Sequence, residues 1–158
     1  MARIRGKDTK PELIVRRYLH SRGYRYRKNV RRLPGTPDIV LRKYGVVIFV
    51  HGCFWHGHES HFRLPQSNRG FWEDKITRNR ERDRKNNERL RAMGWSVITV
   101  WECQLAPAVR SRTLSKIEEL INAQYLHRLQ PQRHAKAIPY ISDSPAPFAA
   151  EQQAEYGK

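Results

Sequence analysis

Cysteine is scarce: of 158 residues only Cys53 and Cys103 carry a thiol, too few for a disulfide scaffold. No apolar run approaches the roughly 18 residues that cross a bilayer, which argues against a membrane helix. The start, Met1-Ala2-Arg3-Ile4-Arg5, has none of the apolar core of a secretory signal. A cytoplasmic protein with no membrane partner is therefore expected. Acid is scarce too, with 15 Asp and Glu against 31 Lys and Arg, a net charge of +16. The basic residues spread from Arg3 to Arg133, so a polyanion, nucleic acid first, is the expected partner. An anionic membrane surface fits less well, since no long helix pairs a clean apolar face with a basic one. The chain has no internal repeat.

What the chain does have is concentrated in one place. Residues 51–61 hold four of its seven histidines, His51, His56, His58 and His61, together with Cys53, Phe54 and Trp55. They follow the apolar run Val46-Val47-Ile48-Phe49-Val50, so metal ligands, proton carriers and large aromatics gather where a strand leaves a sheet.

Around that loop the pattern predicts one α/β (α+β) domain over 1–129 in the order α-β-β-β-α-β-α, a small mixed sheet flanked by helices. Thr9-Lys10-Pro11-Glu12 reads as a capping box opening a helix whose stripe is Ile14, Val15, Tyr18 and Leu19 and whose stop is Gly23. Tyr24 to Lys28 alternates as a half-buried strand. Leu33-Pro34-Gly35-Thr36-Pro37 is a rigid turn that delivers Asp38 to a strand at Ile39-Val40-Leu41, and 42–45 looks like a hairpin loop into 46–50. A long helix is expected from about Phe71 to Met93, then a strand Ser96–Trp101. A last helix is expected over about 113–126, with Leu114, Ile117, Leu120, Ile121 and Tyr125 inward. Beyond Gln130 the composition turns to Pro, Ala, Gln and Ser, and 130–158 reads as a flexible tail.

The long helix breaks its own pattern. Its inward stripe would run Trp72, Ile76, Asn79, Asp83, Leu90, Met93, which puts two polar residues where packing alone wants apolar ones. Either the middle of the helix reaches solvent, or Asn79 and Asp83 face the histidines, where a carboxylate would orient an imidazole.

Asp38 and His51 are expected at neighbouring strand ends, and a carboxylate beside backbone carbonyls suits a hard cation such as Mg²⁺. Cys53, His58 and Cys103 offer the soft donors zinc prefers, with His61 the nearest candidate for a fourth; two buried free thiols are the plainer alternative. Phe54 and Trp55, if extended, would point opposite ways and could not both be core. With Trp72 inside a basic surface, these aromatics suit stacking on bases or wedging between them.

Taken in order, these residues resemble the very short patch repair (Vsr) endonuclease family, of restriction-endonuclease-like fold. The resemblance rests on Leu33-Pro-Gly-Thr-Pro-Asp38, Val47-Ile-Phe-Val-His-Gly-Cys-Phe-Trp-His56, Phe71-Trp72, Asn79 with Glu81-Arg-Asp83, and Gly94-Trp95 through Val100-Trp-Glu-Cys103. It spans about residues 4–126. It implies an endonuclease that nicks one DNA strand on the 5′ side of the thymine of a T:G mismatch left by 5-methylcytosine deamination. By the resemblance Asp38 binds metal with the backbone carbonyl of Val50, two Mg²⁺ ions being expected. His56 is the general base, Asp83 orients it, His51 stabilises the phosphate and Glu12 is an accessory acid. Phe54, Trp55 and Trp72 match the intercalating aromatics, and Lys75 and Asn79 match positions facing DNA. The family's structural zinc site matches Cys53, His58 and Cys103, but Ser60 stands where a fourth ligand, cysteine, is usual, so His61 is the expected substitute. A monomer is expected, and other mismatch-repair proteins are further candidate partners. Two other readings stay open: a restriction-like nuclease with another target, and a non-catalytic module that binds distorted DNA.

Overall fold

A computed structural model describes residues 6–130; the expected tail lies, but for Gln130, outside the described residues. The elements follow the expected order. They are α1 (Lys10–Ser21), β1 (Arg27–Lys28), β2 (Ile39–Leu41), β3 (Val46–His51), α2 (Arg69–Ala92), β4 (Ser96–Trp101), a 3₁₀ turn (Glu102–Leu105) and α3 (Arg110–Leu129). One sheet runs β1-β2-β3-β4. The first two pairings are antiparallel, and β4 lies parallel to β3 after the α2 crossover. The compact unit that holds the sheet ends at His127.

Alternation along the strands divides the core in two. Ile39, Leu41, Val46, Ile48, Ile98 and Val100 pack on one face with Val15 and Leu19 of α1 and Leu114, Ile117 and Ile121 of α3. Val40, Val47 and Phe49 turn to the other face and meet Leu90 of α2. His51 continues the parity of Val47 and Phe49, so β3 delivers it buried onto the α2 side.

Several expectations need correction. The first strand shrinks to Arg27–Lys28 because β2 ends at Leu41, where the 42–45 turn leaves residues 24 and 25 with no strand to pair; Tyr24 instead turns into the core against Tyr44. α2 and α3 each start earlier than expected, and α3 also runs further. Leu120 is 42% exposed, since a helical step of about 100° carries it off the line of Leu114, Ile117 and Ile121. Met93, expected in the inward stripe, caps α2 just beyond Ala92 and is 56% exposed, and Leu90 supplies that end's burial. The capping box forms by half: Thr9 Oγ1 accepts the N–H of Glu12, while Glu12 Oε2 accepts from the N–H of Asp8 rather than from Thr9.

Candidate active site and cysteine–histidine cluster

Asp38 precedes the first paired residue of β2, and the register Ile39↔Ile48 lays it beside the end of β3. Its Oδ2 accepts the N–H of Val50 at 2.7 Å, tying the acid to the neighbouring strand. Burial pushes its carboxyl up to about 6 despite that bond. Glu12, on the first turn of α1, is buried, and with Asp38, Val50, His51, His56 and Asp83 it lines one cleft of about 1130 Å³. The sheet end thus gathers the acids and the imidazoles on one side.

The stripe of polar residues on α2 does face the histidine loop. Three of its side chains hold three consecutive loop residues. Asn79 Nδ2 donates to the carbonyl of Trp55 at 2.9 Å, Asp83 Oδ2 lies 2.6 Å from His56 Nδ1, and Arg80 donates through Nε to the carbonyl of Gly57 at 3.0 Å. Gly57 has φ +60°, and a Cβ there would come within 2.6 Å of Ile76 Cγ2, so the loop can pass this close to α2 only with glycine. His51 and His56 meet edge to face with centroids 3.7 Å apart. His51 Nδ1 is buried without a hydrogen-bond partner, 3.8 Å from Asp83 Oδ2. Burial, and then the neighbouring His56, hold His51 down to about 3, so it is neutral at physiological pH.

Cys53, His58 and Cys103 form a second centre, their donor atoms all within 4.8 Å of one another. The loop doubles back through a hydrogen bond from the His58 N–H to the Cys53 carbonyl at 2.8 Å. Cys103 arrives from the 3₁₀ turn after β4, whose Trp101 pairs with His51 and stacks on the His58 ring at 4.2 Å. Burial pushes the Cys103 thiol up. His61 stands apart from the three donors: its exposed ring lies stacked over that of His58, centroids 5.5 Å apart. His51, His56 and Asp83 lie as close together, but the hydrogen bond between His56 and Asp83 makes them an acid–imidazole group in this structure.

The aromatic residues form one cluster. Phe54 and Trp55 do not diverge as an extended segment would require, because residues 53–57 make tight turns, closed by His56 N–H to Gly52 and Gly57 N–H to Phe54. Their rings meet edge to face at 5.2 Å, and Trp72 stands 5.4 Å from Phe54 and 5.9 Å from Trp55. Lys75 Nζ lies 5.4 Å from the Trp55 centroid and 5.5 Å from that of Trp72, a cation set over the two indoles.

Sequence reasoning missed Arg16 and Arg80. Arg16 lies beside an apolar stripe, and its only legible signal is its spacing of four from Glu12. Arg80 is one of many basic residues on α2, and nothing local sets it apart.

Comparison with known proteins agrees with this geometry. The family model described as DNA mismatch endonuclease Vsr matches residues 1–61. The type II nicking enzyme V.NmeAIP of Neisseria meningitidis serogroup A is 54% identical over 106 residues, covering 66% of this chain and 76% of that protein. V.XorIIP of Xanthomonas oryzae pv. oryzae is 50% identical over 107 residues, 67% of this chain and 79% of that enzyme. The DNA mismatch endonuclease Vsr of Escherichia coli K12 is 43% identical over 106 residues, 66% of this chain and 68% of the relative. Likeness of this depth, over a sheet that brings Asp38, His51, His56 and Asp83 into one cleft, makes the chain a member of the Vsr family of DNA mismatch endonucleases, metal-using hydrolases of restriction-endonuclease-like fold.

Proposed function

We propose that this endonuclease nicks one strand of duplex DNA on the 5′ side of the thymine in a T:G mismatch. The observation that carries the reading is the contact of His56 Nδ1 with Asp83 Oδ2 in the cleft that also holds Asp38. An imidazole whose Nδ1–H is taken by a carboxylate presents Nε2 as its free base, the atom that accepts the proton of an attacking water. General-base help of this kind contributes about 10²–10⁴-fold. His51, neutral and buried beside it, offers an N–H to a phosphate oxygen.

The oxygen donors fit a hard divalent cation. Asp38 has Oδ2 bound to Val50 N–H and its other oxygen uncommitted, while Val50 offers its carbonyl near the end of β3, one residue before His51. These two would hold Mg²⁺, two ions being expected, with Glu12 accessory. The chemistry a divalent cation supplies there is neutralisation of the charge that develops on the scissile phosphate. Cys53, His58 and Cys103 suit zinc, as two thiols and an imidazole converging from a loop and a turn, with His61 the candidate fourth ligand. Zinc there would staple the loop that carries His56 to the turn after β4.

Phe54, Trp55 and Trp72, with Lys75 over two of the rings and Asn79 holding Trp55, would enter the stack at the mismatch, where opening a mispaired step costs less than opening a matched one. A monomer acting in the cytoplasm, alongside other mismatch-repair proteins, completes the reading; among the described residues no helix is long and apolar enough to cross a membrane.

The test is a nicking assay on a T:G duplex and its matched T:A twin, with and without divalent metal. Metal-dependent cutting of the T:G duplex alone is the expected result. Equal cutting of both would mean a nuclease with another target, and binding without cutting a non-catalytic module.

A further inference from the structure

We infer that Arg16 is a positioning residue for this reaction: one buried guanidinium binds the Glu12 carboxylate and the main chain of Asp38 and locks the two acids of the cleft to each other. The inference rests on the nicking mechanism above. Arg16 Nη2 donates to Glu12 Oε2 at 3.0 Å, to the Asp38 carbonyl at 3.3 Å and to Asn29 Oδ1 at 3.5 Å, and Nη1 donates to Asp8 Oδ1 at 2.5 Å. The Arg16 side chain is 5% exposed and that of Glu12 4%.

Stability alone does not account for this arrangement. Burying a guanidinium carries a large desolvation cost, and an apolar side chain of similar size often replaces a buried ion pair without loss. The position flanks the apolar stripe of α1 that carries Val15 and Leu19 into the core, and it is buried on the side that also carries Glu12. Arg16 even leaves its Nε buried with no partner, a further cost. Three of its four partners, Glu12, Asn29 and Asp38, line the cleft.

The geometry shows what that cost achieves. Glu12 Oε2 takes both the Asp8 N–H and Arg16, which turns that oxygen away from other partners and leaves Oε1 without a hydrogen bond. Asp38 is treated alike: Val50 fixes Oδ2, while Asn29 N–H and Arg16 both bind its carbonyl. Each acid thus keeps one oxygen fixed and one free. Arginine suits the task because its planar fork reaches several segments at once, which a lysine ammonium does so less rigidly. Without it Glu12, a second negative charge near Asp38, would be held by the Asp8 N–H alone, and a displacement of about 1 Å at a catalytic centre can cost on the order of 100-fold.

The test compares steady-state nicking of the T:G duplex by wild type, R16M, R16K, E12Q and the E12Q/R16M double variant at saturating Mg²⁺. For R16M, kcat should fall roughly 10- to 100-fold while KM for DNA stays within about threefold, as expected when orientation rather than binding is lost. R16K, which keeps the charge and is the variant of choice should R16M fail to fold, should fall between the two. In the E12Q background R16M should cost clearly less than it does in wild type, because one of the two groups it positions is already altered. R16M and R16K both within twofold of wild type, a KM that rises as kcat falls, or an undiminished R16M effect in the E12Q background would each overturn the proposal while leaving the nicking mechanism standing. A wild-type protein that nicks neither duplex with Mg²⁺ or Mn²⁺ would overturn both together.

Discussion

Asp83 Oδ2 lies 2.6 Å from His56 Nδ1 although the two residues are 27 apart in sequence, one on a helix and the other in a turn. In the proposed mechanism the contact fixes which ring nitrogen of His56 is left to act as base. His56→Ala and Asp83→Asn should each lower the nicking rate by about 10²–10⁴-fold with DNA affinity retained. Because the pair acts as a unit, the double variant should be little slower than the worse single one. Losses below about tenfold for both single variants, measured in single-turnover nicking, would remove the assignment.

Asp38 is held against its own charge. Burial lifts its carboxyl from 3.8 to about 6, so the folded chain binds that proton more tightly than the unfolded one. Below pH 3.8 both states are protonated and the group costs nothing. As pH rises through the gap the unfolded chain ionises first, and by neutral pH the metal-free fold has lost up to roughly 3 kcal/mol. Asp38→Asn should therefore abolish cleavage yet raise the melting temperature of chelator-treated protein at pH 7.5, with little difference near pH 4. A gap that does not widen with pH would contradict this.

Trp55 shares its ring cluster with Phe54 and Trp72 under Lys75, and its carbonyl is held by Asn79. Trp55→Ala should narrow the ratio of nicking on T:G over T:A duplex by about tenfold or more, since a lost stacking contact is worth about 1–3 kcal/mol. If the ratio is unchanged in competition assays, recognition does not run through this ring.

Cys53, His58 and Cys103 should hold about one equivalent of zinc in protein purified without chelator. Cys103→Ser should lose most of it and melt earlier, because a hydroxyl is a poor zinc ligand. Elemental analysis finding under a tenth of an equivalent in wild type would end the zinc assignment. His61→Ala separates the ligand sets: unchanged zinc content and an unchanged cobalt-substituted spectrum would show that His61 takes no part.

Local chemistry made much of this legible. The helix caps and the apolar runs of β2 and β3 are short-range signals, and each led to an element the fold contains, while the crowding of histidines after Val50 marked the loop that carries them. The two polar interruptions on α2 were legible as an anomaly. What they touch was not, because two outcomes, solvent and the histidine loop, predict the same sequence pattern. Phe54 and Trp55 were misread for a related reason: alternation assumes extended backbone, and the turns at 53–57 come from loop hydrogen bonds.

By itself the sequence determined the element order, the basic character and the set of chemically able residues, since these follow from side-chain identity and from periods of two and 3.6. Tertiary structure alone decided the partnerships: Asp83 with His56, Asp38 with the Val50 amide, and Arg16 with Glu12 and Asp38. Such pairings depend on where a crossover helix and neighbouring strands come to rest, and that is set by packing of the whole sheet rather than by any local run of residues.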